Sequence, residues 1–209
     1  MKRLSVLLGV LALVVLAMSF TTKPVAGLEI GDTAPDFSLE NIDGSMVSLA
    51  STKAAYAAEG IDVKGYIVIF TCNTCPYAVM YEDRIQELHE EMAPQGWPVV
   101  AIQPNDTSIQ PADDLASMKK RAAEKGFTFS YIIDAEQEVF PVYGATRTPH
   151  VFLLDQEHSV KYIGAIDDNP QDATAVEERF VVNAIAAVEA GGNPDPNFTR
   201  AIGCGIKSK

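Results

Sequence analysis

Cysteine is scarce in this chain: Cys72, Cys75 and Cys204 are the only three among 209 residues. A disulfide-stapled fold of this size carries more, so apolar packing has to hold the core together. Two close thiols and one distant one favour redox or metal chemistry over stapling. Basic residues are few as well, 16 against 28 acidic ones, giving a formal charge of −12. Such a domain repels nucleic acid and anionic membrane surfaces, which excludes both as partners. The sequence has no long acidic block, internal repeat or low-complexity segment, so the charge reads as a solvated surface.

A hydrophobic content of 47% suits one domain with a sizeable core. The first residues stand apart. Lys2 and Arg3 precede an apolar run from Leu4 to Leu16, and Ala17-Met18-Ser19 follow. A basic end, an apolar middle and small residues make the layout of a secretory signal, with cleavage after Ser19. The run as far as Phe20 also reaches the roughly 17–25 residues of a spanning helix, so an uncleaved anchor is the alternative. No cysteine follows to carry a lipid. Either way the folded part lies outside the cytoplasm, periplasmic or secreted, with a membrane tether as the one open membrane role. The chain divides into residues 1–26 (signal or anchor with a short linker), a domain over 27–192, and an irregular tail over 193–209 bearing Cys204.

Asp43-Gly44 between two short β-prone stretches predicts a hairpin from Ser38 to Leu49. An alanine-rich helix over Ser51–Glu59 ends at Gly60. The apolar run Tyr66–Phe70 predicts a buried strand, followed directly by Cys72-Asn73-Thr74-Cys75-Pro76 and a helix from Pro76 to Met92. Proline suits the first helical turn, where its missing N–H is not needed. Val79, Ile85, Leu88 and Met92 recur at helical spacing and mark that helix's core face. Further on, Pro98–Gln103 predicts a strand and Asp113 caps a helix to Lys125, closed by Gly126. Phe127–Ile133 reads as a strand and Glu136–Tyr143 as a brief helix. His150–Leu154 and Val160–Ile166 read as paired strands, and Ala173–Ala190 as a closing amphipathic helix. Helices between strands, with a late antiparallel pair, imply a three-layer α/β/α domain around a mixed sheet, with a hairpin at its N-terminal end.

The chemistry concentrates at Cys72 and Cys75. At a strand-to-helix junction the helix's positive end and free N–H groups favour a thiolate, and the first cysteine, Cys72, is the expected beneficiary. The thiolate is the attacking species in thiol–disulfide exchange.

With these motifs the chain resembles the thioredoxin superfamily, more closely its redoxin or peroxiredoxin-like (AhpC/TSA-like) branch, over about Gly31 to Lys207. The resemblance rests on Gly31-Asp32-Thr33-Ala34-Pro35-Asp36-Phe37, on Cys72–Pro76, and on Tyr143-Gly144-Ala145-Thr146-Arg147-Thr148-Pro149. An uncharacterised subgroup with a Cys-Asn-x-Cys-Pro-Tyr motif is closer still; its other features here are Asn105-Asp106, Met118-Lys119, Ile166-Asp167-Asp168 and Gly203-Cys204-Gly205-Ile206-Lys207. The resemblance implies a thioredoxin-like fold and a cis bond before Pro149, which lies against the cysteines. It also implies a substrate groove at Pro76, Tyr77 and Thr148, with Thr148 offering backbone groups to an extended partner chain. The sequence departs from the pattern at Thr71, where thioredoxins have Trp, and in Gly65–Phe70, which lacks the carboxylate that serves as proton acceptor.

The leading expectation is an exported thiol–disulfide oxidoreductase needing no cofactor: exposed Cys72 attacks a substrate disulfide and buried Cys75 resolves it. Protein or low-molecular-weight disulfides and thiols are its substrates, and a redox protein supplies electrons. A thiol peroxidase with antioxidant function is one alternative, with Cys75 as peroxide-attacking thiol and Arg84 or Arg147 as nearby cation. A copper-delivery protein using Cys72, Cys75 and His150 is another, since soft thiolates with an imidazole suit Cu(I). Cys204 is either a second resolving thiol reaching the pair on a flexible tail, or structural. His89, between Glu87 and Glu90, and His158, in a turn, read as solvated; Phe70 and Tyr77 read as apolar packing.

Overall fold

The computed structural model describes residues 27–209, so the signal or anchor expected over residues 1–26 lies outside the described part. The first elements are two short strands, β1 (Leu39–Asn41) and β2 (Met46–Val47), paired antiparallel with Leu39 opposite Val47 and Glu40 opposite Met46. Asp43 holds the hairpin tip by accepting the Ser45 amide at 2.8 Å, and Gly44 supplies the left-handed φ of +86°. Helix α1 (Leu49–Ala58) follows, capped by a reciprocal Ser48–Ser51 pair of bonds.

Strand β3 (Gly65–Phe70) is buried along its whole length and leads through the cysteine motif into helix α2 (Pro76–Met92). Strand β4 (Val99–Gln103), helix α3 (Leu115–Lys125) and strand β5 (Ser130–Ile133) come next. Helix α4 (Val139–Tyr143) then precedes β6 (Arg147–Thr148), β7 (His150–Asp155) and β8 (Val160–Gly164). Helix α5 (Phe180–Glu189) and a two-residue strand β9 (Cys204–Gly205) complete the fold.

Seven strands form one mixed sheet in the order β2-β1-β5-β4-β3-β7-β8. β3, β4 and β5 run parallel, and β7 and β8 are antiparallel additions. Side-chain alternation along β3 divides the core between the two faces. Ile67 and Ile69 pack with Tyr81, Ile85 and Leu88 of α2, while Tyr66, Val68 and Phe70 join Leu49, Tyr143 and Phe152 on the opposite face. This is the thioredoxin-like three-layer architecture expected from the sequence. Gly65 is required where β3 meets Trp97, because a Cβ there would overlap both the indole and the Leu154 carbonyl. The indole N–H donates to Glu189 at 3.0 Å and ties α5 to this corner.

Several boundaries differ from the sequence reading. Asp114, not Asp113, caps α3 by accepting the Ser117 amide at 2.7 Å, and Asp113 is fully buried. The closing helix starts at Phe180 instead of Ala173, because the preceding segment is bound elsewhere. Asp168 donates its amide to the Glu178 carbonyl and accepts the Glu177 amide, both at 3.1 Å. On α2, Val79 is only half-buried, and Ala78 and Tyr81 join Ile85, Leu88 and Met92 facing inward. His89 is buried too: its Nδ1 accepts the Val99 amide at 3.1 Å, and burial pulls its pKa down to about 4. His158 is half-buried with its ring edge-on to Tyr66 at 5.4 Å.

The tail departs from irregular structure at two places. Asn197–Thr199 runs along β8, with Ile163 donating to the Asn197 carbonyl and Thr199 donating to the Ile163 carbonyl. Strand β9 pairs antiparallel with β6, placing Cys204 opposite Thr148 and Gly205 opposite Arg147. Among the described residues no helix is long and apolar enough to cross a membrane.

Candidate active site

The site forms where β3 ends, α2 begins and β6 turns into β7. Cys72 lies two residues past β3, and Cys75 is the N-cap residue of α2, with Pro76 in the first turn as the sequence implied. The Thr148–Pro149 peptide bond is cis. Both sulfurs meet Thr148: Cys72 Sγ lies 3.2 Å from its Oγ1, and the Cys75 thiol donates to its carbonyl at 3.1 Å. Cys72, Cys75 and Cys204 are all present as thiols. Tyr77 and Cys204 pack against Cys72, Cys75 and Ala78, whereas Phe70 lies in the sheet core.

The expectation of an exposed attacking cysteine is not met: Cys72 is 3% exposed and Cys75 2%. Strand β9 covers them. The Cys204 amide donates to Cys75 Sγ at 3.2 Å, and the backbone of Thr148, expected to be open to a partner chain, is paired with Cys204 instead. Cys204 is therefore docked rather than carried on a free tail. A cavity of about 110 Å³ remains beside the thiols, lined by Cys72, Thr74, Cys75, Asn105, Gln110 and Cys204 among others. It has room for a few waters or a comparably small molecule, at roughly 30 Å³ per water.

The electrostatics also reverse the expected order. Burial pushes the Cys72 thiol up, and the Asp113 carboxylate pushes it further; the Thr148 hydroxyl and the Cys75 and Thr74 amides only partly offset this. Burial opposes ionisation at Cys75 as well. There, however, the Cys204 thiol, the Ala78 amide at the start of α2 and the Cys204 amide outweigh it and hold the thiol below its ordinary value. Cys204 is pushed up to about 11, because its own proton serves Cys75. The helix end thus favours a thiolate at the second cysteine, since that residue is the one at the N-cap.

Asp113 is the residue the sequence reading misassigned. Its carboxylate accepts the Asn73 amide and the Thr74 hydroxyl, each at 2.9 Å, and the Asn105 side-chain N–H at 2.7 Å. It fixes the two residues between the cysteines. Asp113 and Asp114 are adjacent and each has a backbone amide three residues on, so the sequence does not separate the cap from the buried carboxylate. Asn105 carries the network onward by accepting the Lys207 amide at 2.8 Å. Asn105-Asp106, Cys72–Tyr77 and Gly203–Lys207, separate in sequence, therefore meet at one place.

Other candidates fall outside it. Cys72, Cys75 and His150 do not assemble into a group able to hold a metal ion, and none of three or more His, Cys, Asp or Glu does so among the described residues. His150 Nδ1 instead accepts the Thr146 amide at 3.4 Å, its ring packs 4.8 Å from Phe152, and burial lowers its pKa to about 4. His150 is thus committed to packing in the sheet. Arg84 binds Asp167 at 2.7 Å and lies over the Tyr81 ring, so it serves a structural network. Arg147 donates to the Gly203 carbonyl at 2.8 Å and ties down the tail.

Residues 30–163 match the model of the AhpC/TSA family. The chain belongs to that family. A curated relative, thiol-disulfide oxidoreductase ResA of Geobacillus thermodenitrificans (strain NG80-2), is 26% identical over 160 residues, covering 77% of this chain and 82% of the relative. The crystal structure of an uncharacterized conserved protein from Geobacillus kaustophilus is 32% identical, with TM-score 0.78 over 87% of this chain and 93% of that one. That of a putative thiol:disulfide interchange protein DsbE from Chlorobium tepidum, 21% identical with TM-score 0.54, covers 66% of this chain and 85% of its own, and shares the fold. Family membership agrees with the redoxin resemblance.

Proposed function

We propose that this AhpC/TSA-family enzyme is an exported thiol–disulfide oxidoreductase whose redox pair is Cys72 and Cys75. One observation carries the reading: both sulfurs converge on Thr148, beside Pro149, at the strand-to-helix junction. Cys72 attacks a substrate disulfide, one substrate sulfur leaves as a thiolate, and a mixed disulfide forms. The Cys75 thiolate then attacks the Cys72 sulfur, releasing the second substrate thiolate and closing the Cys72–Cys75 disulfide. A depressed pKa at Cys75 suits this resolving step. Protein or low-molecular-weight disulfides are the substrates, and an electron-donor redox protein returns the pair to the dithiol. Export rests on Lys2-Arg3 and the apolar run that follows them. The test is trapping: Cys75→Ser should accumulate a mixed disulfide on Cys72, and redox-buffer titration of the wild type should show a two-electron couple. A pair that stays reduced under every buffer rules the reading out.

The small cavity at a favoured Cys75 thiolate supports a second reading, thiol peroxidase. Cys75 would attack a peroxide oxygen, the O–O bond would break with loss of hydroxide or alkoxide, and Cys72 would displace water from the resulting sulfenic acid. Rapid stoichiometric loss of hydrogen peroxide on mixing with reduced protein would place this reading first.

A further inference from the structure

We infer that Cys204 is a third redox thiol, mounted by strand β9 in the place of a substrate strand, and that it takes the disulfide over from Cys72 by exchange at Cys75. The inference rests on the redox pair proposed above and adds the route by which electrons reach it. Its starting point is unequal access: with the tail docked Cys72 and Cys75 are 3% and 2% exposed, so an incoming reductant reaches either far less readily than Cys204. Cys204 is the half-exposed one of the three thiols. It lies opposite Thr148 in an antiparallel pairing, where an extended substrate would be held, and its amide contacts Cys75 Sγ at 3.2 Å.

The docking is built. Gly203 allows the approach, because a Cβ there would overlap the Thr148 carbonyl. Arg147 holds the Gly203 carbonyl at 2.8 Å, and the Ile206 amide donates to the Thr146 carbonyl at 3.2 Å. Lys207 is fixed from both sides: its amide donates to Asn105 Oδ1, and its carbonyl accepts the Asp106 amide, each at 2.8 Å. Asn105 is also bound to Asp113, which holds the loop between the first two cysteines, so the three thiols are positioned by one connected network.

The exchange balances without an outside oxidant. When the pair has reduced a substrate, Cys72 and Cys75 are joined. The Cys204 thiol loses its proton and attacks Cys75 Sγ. The Cys75–Cys204 bond forms, the Cys72–Cys75 bond breaks, and Cys72 leaves with the electron pair and takes up a proton, with Thr148 Oγ1 beside it. A dithiol reductant then attacks Cys204 at the surface, and its second thiol completes the release. The reductant is oxidised to a disulfide, and Cys75 and Cys204 return to thiols.

The experiment uses the full chain equilibrated in glutathione redox buffers, acid-quenched, alkylated and mapped by mass spectrometry, together with stopped-flow reduction of the oxidised protein by dithiothreitol. Cys72→Ser should form an intramolecular Cys75–Cys204 bridge. Cys204→Ser should still form Cys72–Cys75, but its reduction by dithiothreitol should slow by about tenfold or more. Absence of the Cys75–Cys204 bridge in Cys72→Ser at every buffer ratio, or reduction of Cys204→Ser within twofold of wild type, overturns the relay. Failure of Cys204→Ser to form Cys72–Cys75 overturns instead the redox pair on which the relay stands. Cys204→Ala is run in parallel, and agreement of the two Cys204 variants ties the rate change to loss of the thiol.

Discussion

Replacing Asp113 by alanine tests whether one buried carboxylate organises the thiol site. The side chain has no exposure and satisfies three donors, the Asn73 amide, the Thr74 hydroxyl and the Asn105 amide group. Leaving a buried donor unpaired costs about 1–3 kcal/mol, so three would sum to at most roughly 3–9 kcal/mol, and the lower end applies because only Asn105 is fully buried while Asn73 and Thr74 are half-buried. Water entering the vacated space, and relief from burying a charge, reduce that, leaving an expected loss of about 3–5 kcal/mol. At about 2–4 °C per kcal/mol for a domain of this size, the melting point should fall by about 6–20 °C. The chemistry should shift in a defined direction as well. Asp113 is one of the groups raising the Cys72 pKa, so removing its charge favours the Cys72 thiolate. Measured in a Cys75→Ser, Cys204→Ser background, the pH profile of Cys72 alkylation should move to lower pH in Asp113→Ala. Asp113→Asn should show the same direction with a smaller melting loss, because its Oδ1 keeps the Asn73 bond and its N–H group can donate to the Thr74 hydroxyl, which leaves only the Asn105 N–H opposed. Melting within about 2 °C of wild type, together with an unmoved alkylation profile, would refute the role given to Asp113.

Two further predictions follow from the packing. His89 is held near pKa 4 against an ordinary 6.5, so between those values the unfolded chain binds a proton that the folded one refuses. Stability is full above pH 6.5 and falls by roughly 3 kcal/mol as pH drops to 4, and His89→Asn should remove that part of the slope in denaturant titrations; an unchanged slope would place the titration elsewhere. Gly203→Ala forces β9 off the Thr148 carbonyl, so alkylation of Cys72 and Cys75 in the reduced protein should speed up at least tenfold, with rates equal to wild type counting against the covering role.

Local signals carried much of the architecture. The start of helix α2 was legible because Pro76 marks it, and its approximate end because Ile85, Leu88 and Met92 recur down one face. The hairpin followed from Asp43-Gly44, and β3 from an uninterrupted apolar run between turn signals. His89 was misread from its charged neighbours, although Ile85, His89 and Met92 at i, i+4 and i+7 already place it on the inward face. The closing helix was read too long because the segment before Phe180 makes its backbone bonds to Asp168, a competition that periodicity does not report. Burial of the thiols was illegible for a more basic reason: the contact responsible joins Cys75 to a residue 129 positions later. The thiolate order of Cys72 and Cys75 turned on the same contact and on which cysteine occupies the N-cap. The motif stretches themselves, Cys72–Tyr77, Asn105-Asp106 and Gly203–Lys207, could be picked out one by one; their meeting could not.

The path of residues 193–209 gives the segment two duties at once. Before reaching the thiols it runs beside β8, the last strand of the sheet, where Asn197 and Thr199 bond to Ile163. Peeling it away would bare an unpaired sheet margin and a reactive sulfur pair in the same event. Shortened forms of the protein should therefore self-associate in two chemically separable ways, one dissolved by reductant and the other only by denaturant.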